Sequence, residues 1–124
     1  MTTEIFIGLP ERLQNAASIG ISLETNSKEK NLDTILNLIC NGLNLKNKDV
    51  RSRSRKRELV TARMIAIGIS YRVTDNKLKE IGSYFDRDHS TVIYNRDLFN
   101  DLVKIKDPLI MKTLNQLNLD YKFI

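Results

Sequence analysis

Four consecutive polar side chains, Asp88, His89, Ser90 and Thr91, stand at the junction of two apolar-periodic stretches. Each offers hydrogen-bonding chemistry of the kind that reads a nucleobase edge. A carboxylate accepts from the cytosine amino group, hydroxyls donate or accept, and the threonine methyl touches the methyl of thymine. The same Asp-x-Ser-Thr start also serves as an ordinary N-cap of a surface helix, so the four residues alone leave both roles open. They do not assemble an enzyme. The single histidine, His89, has Asp88 as its only neighbouring carboxylate and no nucleophile that spacing would bring to it, and acid–base work needs a pocket as well as a pair. Catalytic residues are therefore expected to be none. Metal ligands and cofactors are expected to be none as well, since one cysteine and one histidine cannot supply the four protein ligands of structural zinc.

A second chemistry lies upstream. From Lys46 to Arg63 eight lysines and arginines face two acidic residues, a local excess of six positive charges. The whole chain carries only +5, so the remainder is net −1. Concentration of all the excess charge in one segment is the footprint of a phosphate-facing patch rather than of a generally charged surface. Its centre is Arg51-Ser-Arg-Ser-Arg-Lys-Arg57, placed at the start of a predicted helix. Cations are unfavourable at a helix N-terminus. A bound phosphate removes that conflict, because the helix start favours anions and each guanidinium grips phosphate through two parallel hydrogen bonds. Arginines ahead of the first packed turn would also serve as an arm into an adjacent minor groove. A merely solvated charge run has the same composition, and the alternative of RNA binding lacks stacking aromatics to support it.

The elements that must position these residues follow from periodicity. Leu78, Ile81, Gly82 and Phe85 repeat as one helical face, with Thr74 or Asp75 as N-cap. Asp86, Arg87 and Asp88 break that pattern, and Asp88 is placed to accept backbone N–H bonds of the next helix. On that helix Val92, Phe99, Leu102 and Val103 mark an inner stripe, with Ser90, Tyr94, Asp97 and Asp101 opposite. Two helices joined by about three residues suit a helix-turn-helix, whose second helix offers its first turn to bases. Upstream, a long helix is predicted from about Arg55 to Tyr71. Its apolar rows, Leu59, Ala62, Ala66, Ile69 and Val73 beside Val60, Met64, Ile67 and Tyr71, make it central and packed on both sides.

Ahead of it, Ile35, Leu36, Leu38, Ile39 and Leu43 outline a helix capped by Asp33 or Asn31 and stopped at Asn41-Gly42. Leu45 to Val50 reads as a loop or single turn. Cys40 belongs to the apolar run and is expected to be a buried small hydrophobe. Asp107 to Leu119 reads as one more amphipathic helix. Residues 1–30 form an N-terminal arm or short helix of unknown role. In it Ile5 to Pro10 is a short strand or extended arm, Glu11 to Ser18 a short helix, and Asn26 to Asn31 a polar linker.

The order Arg51-Ser-Arg-Ser-Arg-Lys-Arg-Glu-Leu-Val-x-Ala-Arg63-Met-Ile-Ala66, then Leu78-x-Glu-Ile-Gly82-x-x-Phe85, then Arg87-Asp-His-Ser-Thr-Val92 resembles the C-terminal DNA-binding domain of the bacterial replication initiator DnaA, from about Asp33 to Leu102. The Arg-Asp-His-Ser-Thr-Val string is its specific part. The resemblance implies an all-α, Trp-repressor-like helix-turn-helix domain over residues 31–124, binding double-stranded DNA at DnaA boxes. By position it implies base reading by Asp88, His89, Ser90 and Thr91 in the major groove and by Arg55 in the minor groove. Arg63 matches a phosphate-contacting arginine, with Arg53, Arg57, Lys77 and Arg87 as further phosphate contacts. The chain departs from the family at the corner, where Asp86 alone precedes Arg87-Asp-His and a Gly-Gly pair is common. Asn95, Arg96 and Asp97 also depart from the family pattern.

With 41% hydrophobic and 28% charged residues and only two prolines, the chain reads as globular and helical, one domain long. No stretch reaches the roughly 18 apolar residues of a membrane span, and Met-Thr-Thr-Glu lacks the basic start of a signal peptide. A cytoplasmic protein of a bacterial cell or phage-infected host is expected. The glycines at 8, 20, 42, 68 and 82 cannot build a nucleotide-binding Gly-x-x-x-x-Gly-Lys-Ser/Thr loop, so no ATPase activity is expected. The reading is a stand-alone DNA binder in replication initiation or its regulation. The alternative is a helical protein-interaction module or transcriptional regulator on the same scaffold, with residues 1–30 available to a protein partner.

Overall fold

The computed structural model describes residues 28–74 and 76–119, which form six helices and no strand: α1 Lys28–Leu43, α2 Asn47–Val50, α3 Arg57–Val73, α4 Leu78–Phe85, α5 His89–Lys104 and α6 Pro108–Gln116. The expectations for residues 1–27 and for Asp75 fall outside these residues. The all-α class and the central long helix hold. Helix α3 packs on α5 most extensively and also on α1, α2 and α4.

The reason lies in its circumference. Leu59, Ala62, Ala66, Ile69 and Val73 are buried on one side and Met64, Ile65 and Ile67 on the other. Val60 departs from its predicted row and is 42% exposed. Phe85 and Phe99, from α4 and α5, are completely enclosed beside it, and burial of such side chains is worth about 1.5–3 kcal/mol each.

Several ends differ from the sequence reading for local reasons. Helix α1 starts at Lys28, so residues 28–31 of the predicted polar linker form its first turn, and neither Asn31 nor Asp33 caps it. It runs through Gly42 and stops at Asn44, whose φ of 58° is the left-handed conformation that asparagine tolerates. The Leu45 N–H then returns to the Cys40 carbonyl at 2.9 Å. Gly42 serves a different purpose: a Cβ there would collide with the Leu117 side chain beyond α6. Cys40 is buried as expected, and that burial pushes its thiol pKa up.

Helix α3 begins and ends two residues later than predicted, which leaves Arg51 to Arg55 in a loop ahead of it. Thr74 closes α3 instead of opening α4, its hydroxyl donating to the Ser70 carbonyl at 2.6 Å. The N-cap position of α4 is Lys77. A lysine has no acceptor, so the bond made there runs from the Lys77 N–H to the Glu80 carboxylate at 2.8 Å. Helix α6 matches the predicted final amphipathic helix, with Asp107 accepting from the Ile110 N–H at 3.2 Å and Pro108 in the first turn.

Candidate nucleic-acid interface

The corner between α4 and α5 is made by backbone geometry. Asp86 sits at φ 52° and ψ 50°, turning the chain out of α4, and the Arg87 N–H returns to the Gly82 carbonyl at 2.8 Å. Gly82 is required at that position because a Cβ would lie 2.6 Å from the Arg87 carbonyl oxygen, which is main chain and cannot swing away. Asp88 then opens α5, its Oδ1 accepting from the Thr91 N–H at 2.8 Å. That bond, followed by one from the Thr91 side chain, holds its carboxyl below the usual carboxylate range. Asp88, His89 and Ser90 are exposed and Thr91 is half-exposed. The first turn of α5 is thus a capped, solvent-facing edge of three helical residues, as the sequence predicted.

The basic loop is ordered by its serines. Ser52 Oγ donates to the Asp49 carbonyl at 2.6 Å, the Ser54 N–H donates to Ser52 Oγ at 3.2 Å, and the Lys56 N–H donates to Ser54 Oγ at 3.3 Å. Alternation of arginine and serine therefore has a structural content: serines fold the loop while the side chains of Arg53 and Arg55 remain exposed. Arg63 completes the frame from α3. It is only 7% exposed, and donates Nε to the Val50 carbonyl at 2.8 Å and Nη2 to those of Ser52 and Ser54 at 3.0 and 3.2 Å. Its guanidinium is engaged by the loop backbone through Nε and Nη2, and burial pushes its pKa down, helped by the nearby charges of Arg87 and Arg53.

Loop and corner are tied together. Arg87 donates Nη2 to the Ser52 carbonyl at 2.5 Å and Nη1 to the Phe85 carbonyl at 2.7 Å, so one guanidinium spans both segments. Arg51 donates Nε to the Tyr84 carbonyl at 2.9 Å and stacks 4.0 Å above the Tyr84 ring. Arg53 pairs with Asp86 at 3.1 Å, a contact between two side chains 73% and 81% exposed and hence worth little. Tyr84 anchors this assembly to α1 by donating its hydroxyl to Asp33; burial, then that bond, push its pKa up to about 12. Sequence reasoning missed Tyr84 and the clasping role of Arg63, because both depend on residues distant in the chain.

The remaining predicted residues divide. Arg55 and Lys56 are exposed in the loop without an ion pair among the described residues, and Lys77 is exposed at the start of α4. Arg57 is exposed but borders a groove with Leu43, Leu109 and Gln116, so its side chain lines the approach of α1 to α6. Arg63 and Arg87 converge on the Ser52 carbonyl with the Arg53 charge close enough to lower both their pKa values, which makes a region of positive potential that an anion would relieve. Among the described residues no helix is long and apolar enough to cross a membrane, and no three metal-binding side chains converge.

The family described as the bacterial DnaA protein helix-turn-helix matches residues 32–97, a span that holds the loop, the corner and the first turns of α5. The chromosomal replication initiator protein DnaA of Oleidesulfovibrio alaskensis is 38% identical over 88 residues, covering 71% of this chain and 19% of that protein. The protein of that name from Chlorobaculum tepidum is 40% identical over 70 residues, or 56% of this chain and 14% of its own length. That from Gloeothece citriformis is 34% identical over 112 residues, which is 90% of this chain and 24% of the relative. The chain spans a quarter or less of the length of these relatives.

Proposed function

The chain belongs to the bacterial DnaA helix-turn-helix family, and from that premise we propose that it binds double-stranded DNA at DnaA-box-like sites in replication initiation or its regulation, without hydrolysing ATP. The observation that carries this reading is the Arg87 guanidinium, which joins the basic loop to the recognition corner through Ser52. Held in that way, the loop and the α5 first turn act as one surface.

In this reading His89, Ser90 and Thr91 meet base edges in the major groove and Arg55 enters the neighbouring minor groove. Asp88 has a double task, since a carboxylate has more lone pairs than the two bonds from Thr91 use and can also accept from a base amino group. Arg53, Arg57 and Lys77 contact phosphate, while Arg63 and Arg87 act chiefly by holding the loop. Binding, not turnover, is the output: occupancy of a site on duplex DNA positions whatever assembles there.

Fluorescence anisotropy with duplexes carrying and lacking a DnaA box, each at two or more salt concentrations, tests this. The box duplex should bind more tightly, and log K should fall with log salt at a slope of about −3 or steeper, since each of the three named phosphate contacts contributes about −0.9. Equal affinity for the two duplexes, or no salt dependence, contradicts it.

A further inference from the structure

Two turns beyond His89, α5 brings Arg96 and Asn100 to the flank of α3, where they meet Arg72. A cavity of about 180 Å³ opens there, lined by Gly68, Tyr71, Arg72, Arg96 and Asn100. At about 30 Å³ per water molecule it has room for several waters, and so for one tetrahedral oxyanion. The two cations differ in how they are balanced. Arg96 stacks 4.7 Å from the Tyr71 ring centre and donates Nε to Asp97 at 2.9 Å, so its charge has a carboxylate partner. Arg72 donates Nη2 to the neutral Asn100 Oδ1 at 2.6 Å and forms no ion pair among the described residues. It is partly withdrawn from solvent, and that burial lowers its pKa. A guanidinium partly withdrawn from water, with only a neutral partner among the described residues, is stabilised by an anion that completes it.

We propose that Arg72, Arg96 and Asn100 form a second anion site, distinct from the loop and corner, that takes one phosphate-class oxyanion. The planar donors of two guanidiniums suit a tetrahedral group with several acceptor oxygens. The group has two available sources, a free phosphate or a backbone phosphodiester of bound duplex. His89, Arg96 and Asn100 repeat at spacings of seven and four along α5, so they share one stripe. Arg96 lies about 10 Å along the helix axis from His89. A duplex held at His89 therefore runs its backbone past this stripe; that source, unlike the site itself, rests on the proposed function.

Two arms on the full chain decide. In the first, the arginine Nε–Hε resonances of ¹⁵N-labelled protein are followed during titration with sodium phosphate against sodium chloride at matched ionic strength. A saturable shift at Arg72 and Arg96 in phosphate only, absent from Arg72→Gln, is the expected result. In the second, the salt slope of duplex binding is compared between wild type and Arg72→Gln, with a loss of about one unit expected if a duplex phosphate occupies the site. Shift without slope change assigns a free phosphate; slope change, with or without the shift, assigns the duplex. The absence of both the shift and the slope change overturns the proposal. If Arg72→Gln fails to fold by circular dichroism, Arg96→Gln replaces it, since it leaves the Arg72 to Asn100 bond in place. A wild-type chain that binds no duplex defeats the proposed function, while the phosphate arm still decides this site.

Discussion

His89 and Ser90 are exposed because Asp88 and Asp86 do the turning. The Asp88 cap satisfies the Thr91 N–H at the start of α5, and the left-handed Asp86 turns the chain ahead of that start. His89→Ala should leave the melting temperature nearly unchanged, since the side chain is exposed, and should narrow the preference for a box duplex over a random one. The expected loss is about 1–3 kcal/mol of discrimination; an unchanged affinity ratio in anisotropy would remove His89 from the reading set. Asp86→Gly tests the departure at the corner. The positive φ is natural for glycine, which is why a glycine suits that turn. Relief of the turn is offset by the greater freedom of the unfolded chain, so stability should shift by less than about 1 kcal/mol. Duplex affinity should rise several-fold, because the substitution removes a carboxylate beside the loop and releases Arg53 from its pairing. Weaker binding would show that the Arg53–Asp86 pair is needed to place the arginine.

At the scale of elements, the α4–corner–α5 unit and the basic loop are separate pieces of sequence joined by side chains. Arg87→Gln cuts the joint, removing a charged hydrogen bond of the kind worth about 1.5–3 kcal/mol. Amide exchange of residues 52–56 should accelerate while that of α3 stays slow, and box-duplex affinity should fall about tenfold. Unchanged exchange in the loop would mean that Arg63 alone holds it. The joint to α1 is sensitive to alkali. The Tyr84 pKa is raised in the fold to about 12, against about 10 for a free tyrosine, so the folded state retains its proton longer than the unfolded chain. Its contribution is complete below pH 10 and is lost as pH rises through 12. Thermal melts across that window should show a decline that Tyr84→Phe reduces, and an identical decline in both proteins would contradict it.

The apolar periodicity made α4, α5 and the middle of α3 legible in the sequence, because Leu59, Phe85 and Phe99 announce a buried face by spacing alone. The ends were less legible: Thr74 serves either neighbouring helix by composition, and only its bond to Ser70 decides. The loop-holding bonds of Arg63 were hidden for a related reason. Charge is visible in sequence, but whether a guanidinium faces solvent or a loop's carbonyls is settled by the fold around it.

For the molecule as a whole, the basic loop and the corner are drawn together at the Ser52 carbonyl, where Arg63 from α3 and Arg87 from the corner converge. The core behind it, α3 enclosed by α1, α4 and α5, holds that convergence in place. The candidate residues Arg55 and His89 could be picked from the sequence by type, yet the tie between the loop and the corner that carry them is made by contacts across more than thirty residues of chain. Dimethyl sulfate interference on a single box duplex examines that face directly, because the reagent methylates guanine N7 in the major groove and adenine N3 in the minor groove. The predicted result is interference in both grooves within one helical turn, with the minor-groove signal lost in Arg55→Ala and the major-groove signal lost in His89→Ala. Interference confined to one groove, or unaltered by either substitution, would contradict the claim that loop and turn grip one duplex together.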